Sequence, residues 1–349
     1  MTDRRHLLNS LAVQAMACTA LGSTMYGELL DRVSADVSAG GVFADVLSGH
    51  ENDPGPSAVA LRLLGGLHRL VLDGRAPALR RWYPSVGGRW DLLAAWSDIA
   101  ATARAHADAL HLALHQAPQT NEVGRSAALV GGLLALTAEY PHPVRLFEIG
   151  ASAGLNLRAD RYLYLHPGGQ WGLADSPVVI DDAWHGRVPS NREVRISERT
   201  GYDISPIDPR SRDGELTLLS YVWPDMADRL TRLRGAIAIA RRVPASVHRR
   251  TAAEAITEIR LSPGTLTVVW HSVIWQYLSD NERSAVGYGI AALGAQASPH
   301  SPFAHLTMEP QRRAPGSPHE FLLRSCSWPD GRDVILAICA PHGPPVTWQ

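Results

Sequence analysis

The sequence predicts an α/β protein with a Rossmann-like, mostly parallel sheet, a C-terminal antiparallel hairpin and an N-terminal helical domain. The main observation is a short apolar strand over residues 144–149 that runs into the glycine-bearing turn 150–154. Such a strand–turn unit presents backbone to a ligand in nucleotide-binding folds. Two further observations agree: later strands end in polar residues, and the first third of the chain has apolar residues at helical spacing.

The composition favours a folded protein that acts on a small molecule or another protein. Of the 349 residues, 45% are hydrophobic and 19% are charged, which is typical of globular chains. The formal net charge of −1 gives no general attraction to nucleic acid or to an anionic membrane. No run of about 18 apolar residues is present, so no membrane-spanning helix is expected.

The reactive side chains narrow the possible chemistry. Every basic residue among the 33 lysines and arginines is an arginine. This excludes mechanisms that need a P-loop lysine or a lysine Schiff base, whereas arginine is suited to carboxylate, phosphate or sulfate. Cys18, Cys326 and Cys339 lack CxxC spacing and predict reduced thiols without a zinc site. Together with an N-terminal apolar run that polar residues interrupt, they favour a cytoplasmic location.

The domain organisation follows from periodicity. Apolar residues recur at three- and four-residue steps over residues 7–37, 58–72 and 90–115, which assigns residues 1–118 to the helical domain. The Rossmann-like domain is expected over residues 119–349. Within it, residues 157–193 are rich in Pro, Gly, Trp and Asp and form an expected insertion, either a lid or a surface excursion.

Polar residues cluster before and after the predicted strands. The segment 119–125 is densely polar and leads into a helix at 127–138; helix capping explains only part of it. Strands are predicted at residues 194–201, 216–222, 265–270 and 303–308, with a hairpin around the turn 329–332. Asp203, His271 and Glu309 follow three of these strands, at the sheet edge where such folds place functional groups.

The turn itself permits two motif interpretations. Glu148-Ile149-Gly150-x-x-x-Gly154 resembles the S-adenosylmethionine motif of class I methyltransferases, as does the segment 200–206 that follows the next strand. Ser152, however, stands where a further glycine is usual. The same residues match GxSxG, the nucleophile elbow of α/β-hydrolases, with histidines 271 and 342 downstream.

Several ordered motifs resemble one family. QTNEVGRSAAL, EIGASAGLNLRADRYLY, SYVWPD, HSVIWQYL, MEP and HGPPVTW are similar to the actinobacterial family known as domain of unknown function 2332, from about residue 12 to the end. The activity associated with similar proteins is formation of an aziridine ring in azinomycin-type antibiotic pathways, together with a small partner subunit. The resemblance therefore implies an enzyme of secondary metabolism that works as a heteromer.

That reaction sets clear chemical requirements. An amine displaces a sulfate from the neighbouring carbon, so the enzyme positions both groups, accepts a proton and stabilises the departing anion. It needs no metal, redox cofactor or lysine. The candidate catalytic residues are Glu122, Asp160, Asp203 and His271. The candidate substrate-binding residues are Asn121, Arg125, Glu148, Gly150, Ser152, Gly154, Asn156, Arg158, Arg161, Tyr162, Trp275, Gln276 and Tyr277.

The leading prediction is thus aziridine closure by sulfate elimination, without S-adenosylmethionine. Three alternatives stay open: a methyltransferase that uses S-adenosylmethionine, a GxSxG serine hydrolase, and a non-catalytic scaffold. All depend on the expectation that the turn 150–154 aims backbone amides and nearby polar side chains into an anion-accepting hollow.

Overall fold

A computed structural model describes residues 4–187 and 192–349. The chain forms two compact units, one of residues 4–120 and 211–231 and the other of residues 121–210 and 232–349. The first unit therefore ends close to the expected boundary at residue 118, but it also includes a later segment that was expected in the second. Within the described ranges, no helix has the length and apolar character needed to cross a membrane.

Along the described part of the sequence, seven α-helices precede the first strand and four follow it. Their bounds are α1 (Arg5–Ala20), α2 (Thr24–Ser38), α3 (Val42–Val46), α4 (Val59–Leu72), α5 (Leu92–Ala105), α6 (Ala107–Leu114), α7 (Ser126–Glu139), α8 (Arg212–Ser220), α9 (Ala227–Ala240), α10 (Ala252–Glu258) and α11 (Asp280–Gln296).

The strands begin after α7, as the sequence predicts. Their bounds are β1 (Val144–Ile149), β2 (Leu163–His166), β3 (Gly169–Gly172), β4 (Val179–Ile180), β5 (Trp184–His185), β6 (Ile196–Asp203), β7 (Ser246–Arg249), β8 (Leu266–Ser272), β9 (Phe303–Gln311), β10 (Glu320–Trp328), β11 (Arg332–Ala340) and β12 (Gly343–Trp348).

The first unit is helical and has its own apolar core. Side chains of α1, α2 and α4–α6 form one buried cluster, which Trp223 completes. Ser23 directly precedes helix α2, and its hydroxyl accepts the N–H of Tyr26 and caps the first turn. The predicted helical domain thus has helices where the apolar periodicity placed them.

One predicted strand is wrong. Residues 216–222 were expected to form a strand, but most of them belong to α8. Ser211 caps this helix by accepting the N–H of Gly214, and Asp213 and Glu215 lie in its first turn, where the helix dipole favours negative charge. The place in the sheet is taken instead by the short, mostly exposed strand β7, which has no apolar run.

The second unit contains a nine-stranded, mixed sheet in the order β5-β12-β11-β10-β9-β8-β1-β6-β7. Strands β9, β8, β1, β6 and β7 pair in parallel, whereas β9 to β12 pair in antiparallel fashion. The expected parallel sheet and C-terminal hairpin are confirmed at this level. The hairpin β10–β11 is part of a larger antiparallel region, because β12 extends it.

Helices cover both faces of the sheet. Phe147 and Val269, which pair between β1 and β8, belong to an apolar cluster with residues of α10 and α11. On the opposite face, α7 packs so closely that a Cβ on Gly132 would lie 2.5 Å from Leu306 of β9. The sheet is therefore enclosed, and polar groups that it carries inward are removed from water.

The insertion expected at residues 157–193 has structure of its own. Strands β3, β2 and β4 form a second sheet, and β5 pairs with β12 of the main sheet. Tyr164 stacks on Trp184 with ring centroids 5.3 Å apart. Residues 188–191 of the expected insertion lie outside the described residues. Its use as a lid stays a prediction.

The close approach at Gly150 predicts a stability difference between two glycines. Gly150 has φ +72°, and an added Cβ would lie 2.3 Å from Ile274 Cγ2, whereas Gly264 has φ +73° with nothing within 4 Å. We expect Gly264→Ala to destabilise by about 1 kcal/mol, from left-handed backbone alone. Gly150→Ala should cost about 2 kcal/mol more through steric overlap. Chemical denaturation of both variants measures this, and equal losses would contradict the described packing.

Candidate functional site

The candidate site lies where two central strands end. Glu148, the last residue but one of β1, pairs with Trp270 of β8. In the sheet, β6 and β7 lie on one side of β1, and the later strands β8 and β9 lie on the other. The strand order therefore reverses between β1 and β8. In open α/β sheets a crevice forms at the carboxyl edge of such a point.

The turn 150–154 is held by hydrogen bonds within the protein. The amides of Gly150 and Ala151 both donate to the carbonyl of Tyr202, at 2.8 and 3.1 Å. The amide of Gly154 donates to the carbonyl of Ala151 at 2.7 Å. Gly154 has φ +65°, a backbone conformation that glycine adopts without strain.

Asp203 ties this turn to the end of β6. One carboxylate oxygen accepts the N–H of Ser152 at 2.8 Å and the other accepts the N–H of Ser205 at 2.8 Å. Two backbone amides therefore bind the Asp203 carboxylate, which was predicted from the sequence as a base or as a partner for ribose hydroxyls. Asp203 shapes the turn.

The part of the expectation that concerns backbone amides fails for four of the five residues of the turn. The amides of residues 150–152 and 154 already have protein acceptors. Moreover, the turn is followed by a seven-residue 3-10 helix, Leu155–Arg161, rather than by a long α-helix. With most of its amides bonded and no extended helix after it, the turn is a weak anion site, and side chains become the better candidates for anion recognition.

The polar segment before α7 supports the same turn. Asn121 accepts the N–H of Leu155 at 2.9 Å, and the side-chain amide of Asn156 donates to the carbonyl of Glu122 at 3.1 Å. The Glu122 carboxylate accepts the N–H two residues further on at 3.1 Å and lies 3.4 Å from Nδ1 of His342. These contacts explain a polar cluster that helix capping alone does not.

The residues after the turn are mainly structural. Both oxygens of Asp160 accept from Arg199, at 2.6 and 2.7 Å, and Arg161 lies 3.3 Å away. Tyr162 and Arg158 donate to backbone carbonyls at 2.6 and 2.7 Å. Asp160 is therefore committed to an ion pair and is poorly placed to accept a substrate proton.

Glu148 is different, because one oxygen of its buried carboxyl lacks a hydrogen-bond partner in the described part of the chain. The side chain is 3% exposed, and Oε2 has no hydrogen-bond partner among the described residues. Burial is the largest cause that raises the pKa of Glu148 to about 8; the Trp270 indole beside it and the charges of Arg158 and Arg125 act in the opposite direction. At neutral pH this carboxyl is mostly a neutral acid.

His271 forms a buried pair with Glu309 on the neighbouring strand. Its Nδ1 lies 2.7 Å from Oε1 of Glu309, a contact in which an Nδ1–H donates to the carboxylate, and both side chains are almost fully buried. The amides of Ile274 and Trp275 donate to the same carboxylate at 3.1 and 3.4 Å. The His271 ring and two backbone amides thus bind the Glu309 carboxylate, which orients the ring and favours the tautomer with its proton on Nδ1.

The other ring nitrogen of His271 makes no hydrogen bond within the part of the chain that the structure describes. Nε2 is buried and has no hydrogen-bond partner within the described residues. Trp275 stacks on the ring, with centroids 5.2 Å apart and planes 10° apart. The loop that follows β8 begins with Val273 at φ +55°, a rare conformation for a β-branched residue. Such strain is concentrated at functional sites. Gln276 and Tyr277, also proposed as substrate-binding, are exposed.

The side chains of Glu148 and His271 project from opposite faces of the sheet. Glu148 and Trp270 are paired, and His271 is the next residue of β8; because side chains alternate along a strand, it points away from them. A single ligand contacts both groups only if it lies across the carboxyl edge of the sheet.

Sequence reasoning missed Glu309 and His305 as parts of the site. The MEP motif placed Glu309 at a strand end, but only the parallel pairing of β8 and β9 brings it to His271. His305 lies 5.1 Å from the His271 ring, and burial together with His271 holds its pKa well below the ordinary value. Alternation along β9 puts both residues on the face of His271.

The geometry bears on the motif alternatives. A serine hydrolase needs a hydrogen bond from the nucleophile to its base, and Nε2 of His271 receives none from Ser152. Ser152 does have the positive φ, +53°, of a tight strand–turn. For the methyltransferase, each oxygen of Asp203 already accepts one backbone N–H, so the carboxylate is fixed by the turn and by residue 205, with one lone pair on each oxygen left over.

Comparison with known families places the chain. The sequence profile of the family described as "Uncharacterized protein conserved in bacteria (DUF2332)" matches residues 9–348. The chain belongs to this family. No curated protein matches it. The family resemblance drawn from the motifs is thus confirmed, and the description of DUF2332 assigns no reaction.

Burial of Glu148 predicts how stability depends on pH. Its pKa is 4.5 as a free side chain and about 8 in the folded protein. Between these values the unfolded chain has lost the proton that the folded chain keeps, so raising the pH favours unfolding in this window. We expect Glu148→Gln to remove this term, because the amide does not titrate.

The measurement is denaturant unfolding of both proteins from about pH 5 to about pH 9. As the pH rises, the unfolding constant of the parent should increase relative to that of Glu148→Gln by up to about tenfold per pH unit. This increase should level off near pH 8. A difference that does not change with pH would show that Glu148 ionises normally in the folded state.

Proposed function

We propose that the parallel core of this DUF2332 protein is Rossmann-like and that its ligand lies across the edge between β1 and β8. The order β7-β6-β1-β8-β9 supports this, because along the chain these strands read third, second, first, fourth and fifth. That is the order of the first five strands in a Rossmann sheet. Resemblance to class I methyltransferases then concerns the core; beyond β9 the strands are antiparallel.

We propose further that the protein is an enzyme that closes an aziridine ring by displacement of a vicinal sulfate. The single observation that carries the proposal is His271: a buried imidazole whose Nδ1–H is bound to Glu309 and whose Nε2 has no protein partner. A neutral imidazole in this tautomer accepts a proton at Nε2. Of the four predicted bases, it is the one whose acceptor atom lacks a partner among the described residues.

The proposed steps need only proton transfer and positioning. Nε2 of His271 takes a proton from the substrate ammonium group, and Glu309 stabilises the resulting imidazolium. The freed amine attacks the adjacent carbon from the side opposite the sulfate ester, the C–N bond forms, and the C–O bond breaks with both electrons leaving on sulfate. The ring forms as the aziridinium ion and becomes the neutral aziridine by losing its second N–H proton to water. Held in this anti geometry, the two groups react without a bimolecular encounter. A small partner subunit, implied by the family resemblance, is part of the proposal.

The test uses a deletion strain of the source organism complemented with variants, so that any partner is present. His271→Gln should lower formation of the aziridine product by about 10²- to 10⁴-fold, since it removes the base. Glu309→Gln should cause a large loss through misorientation of the ring. The control is His319→Gln, which replaces an exposed histidine and should leave product formation unchanged.

Full product formation with His271→Gln would reject catalysis at this residue and favour the scaffold alternative. The methyltransferase alternative is tested separately by calorimetric titration of the purified chain with S-adenosylmethionine. We expect no binding at micromolar concentrations; binding in that range, lost in Gly150→Ala, would replace the ring-closure proposal.

A further inference from the structure

The carboxyl of Glu148 has properties that the proposed base does not use. It is buried, Oε2 has no partner among the described residues, and the indole Nε1 of the paired Trp270 also makes no hydrogen bond within the described ranges. Two unpartnered polar groups side by side in an enclosed sheet carry a desolvation penalty. A ligand that bonds to both removes this penalty.

The charges around the pair indicate which kind of ligand. Arg158 and Arg125 act on Glu148 with positive charge, and Asp203 acts with negative charge. Tyr162 also faces the group but is neutral, because burial raises the pKa of its phenol far above the usual value. Arg158 donates to two backbone carbonyls, so those bonds do not neutralise its charge.

A buried carboxyl without a cationic partner in contact is held as the acid, since its ionised form is poorly solvated. As an acid, it is an O–H donor, and the indole of Trp270 is an N–H donor. Both favour an acceptor, and the nearby arginine charges favour a negative one. The turn amides, which were expected to recognise an anion, are already bonded.

We propose that Glu148, as a neutral acid, and Trp270 form an oxyanion subsite that donates hydrogen bonds to a sulfate or sulfate-ester oxygen in the field of Arg125 and Arg158. The inference rests on the proposed function in one respect: it identifies the anion with the leaving group. Glu148 would then hold the departing sulfate, while His271 accepts the proton. Many enzymes likewise use one group as the acid and another as the base, because the two groups lie in different environments.

The test measures binding of inorganic sulfate to the purified full chain by calorimetry, without any turnover. Affinity should be constant below about pH 7 and fall about tenfold per pH unit above the Glu148 pKa of about 8. Glu148→Gln keeps a neutral donor, so it should bind sulfate with near-parental affinity and without this pH dependence. Arg125→Gln should weaken binding at every pH, because it removes charge and leaves the acid.

No detectable sulfate binding, or the same pH dependence in Glu148→Gln as in the parent, would overturn the subsite. Infrared spectroscopy adds a readout independent of binding: a protonated carboxyl band should be present near neutral pH, disappear above about pH 9 and be missing in Glu148→Gln. Failure of ring closure in the complementation test leaves sulfate binding unaffected, so the two proposals can fail separately.

Discussion

The hydrogen bond between His271 and Glu309 is the interaction on which the rest of the site depends. It joins β8 and β9 at their carboxyl ends, and the same carboxylate also binds two amides of the loop that follows β8. A buried carboxylate with several donors is stable as an anion, and an anion in this position determines which imidazole nitrogen carries the proton. The acceptor character of Nε2, and with it the proposed chemistry, follows from that one contact.

Burial away from water gives Glu148, on the neighbouring strand β1, a different role. Glu148 is as deeply buried as Glu309, but its Oε2 has no hydrogen-bond partner among the described residues, whereas three groups bind the Glu309 carboxylate. Two glutamates at the ends of nearby strands therefore differ in role because their partners differ. The sheet separates them by face, so one ligand contacts both only if it lies across the carboxyl edge.

The sequence was informative where periodicity and strand ends carry the signal. The apolar strand β1, its glycine turn, and the polar ends of β6 and β8 were all found from local patterns, as was the hairpin β10–β11. Residues 216–222 misled because an apolar run of that length fits a strand or a buried helix, and the cap at Ser211 decided for the helix. Strand β7 has no pattern, and only its parallel pairing with β6 reveals it.

The site was harder to predict because its chemistry depends on partners distant in sequence. Asp203 and Asp160 look reactive as residue types, yet backbone amides and Arg199 bind their carboxylates. Glu309 lies 38 residues after His271, a separation that no local motif reports. Polar residues at strand ends thus located the correct edge of the sheet, but hydrogen-bond partners were needed to separate shape-holding groups from reactive ones.

The most direct measurement is the tautomer of His271, read from ¹⁵N chemical shifts of labelled histidine near neutral pH, with His271→Gln used to assign the signal. The account predicts a proton on Nδ1 and a bare Nε2, and a shift of that balance in Glu309→Gln. A neutral ring with its proton on Nε2 would contradict it, because the nitrogen offered to the substrate would then be a donor.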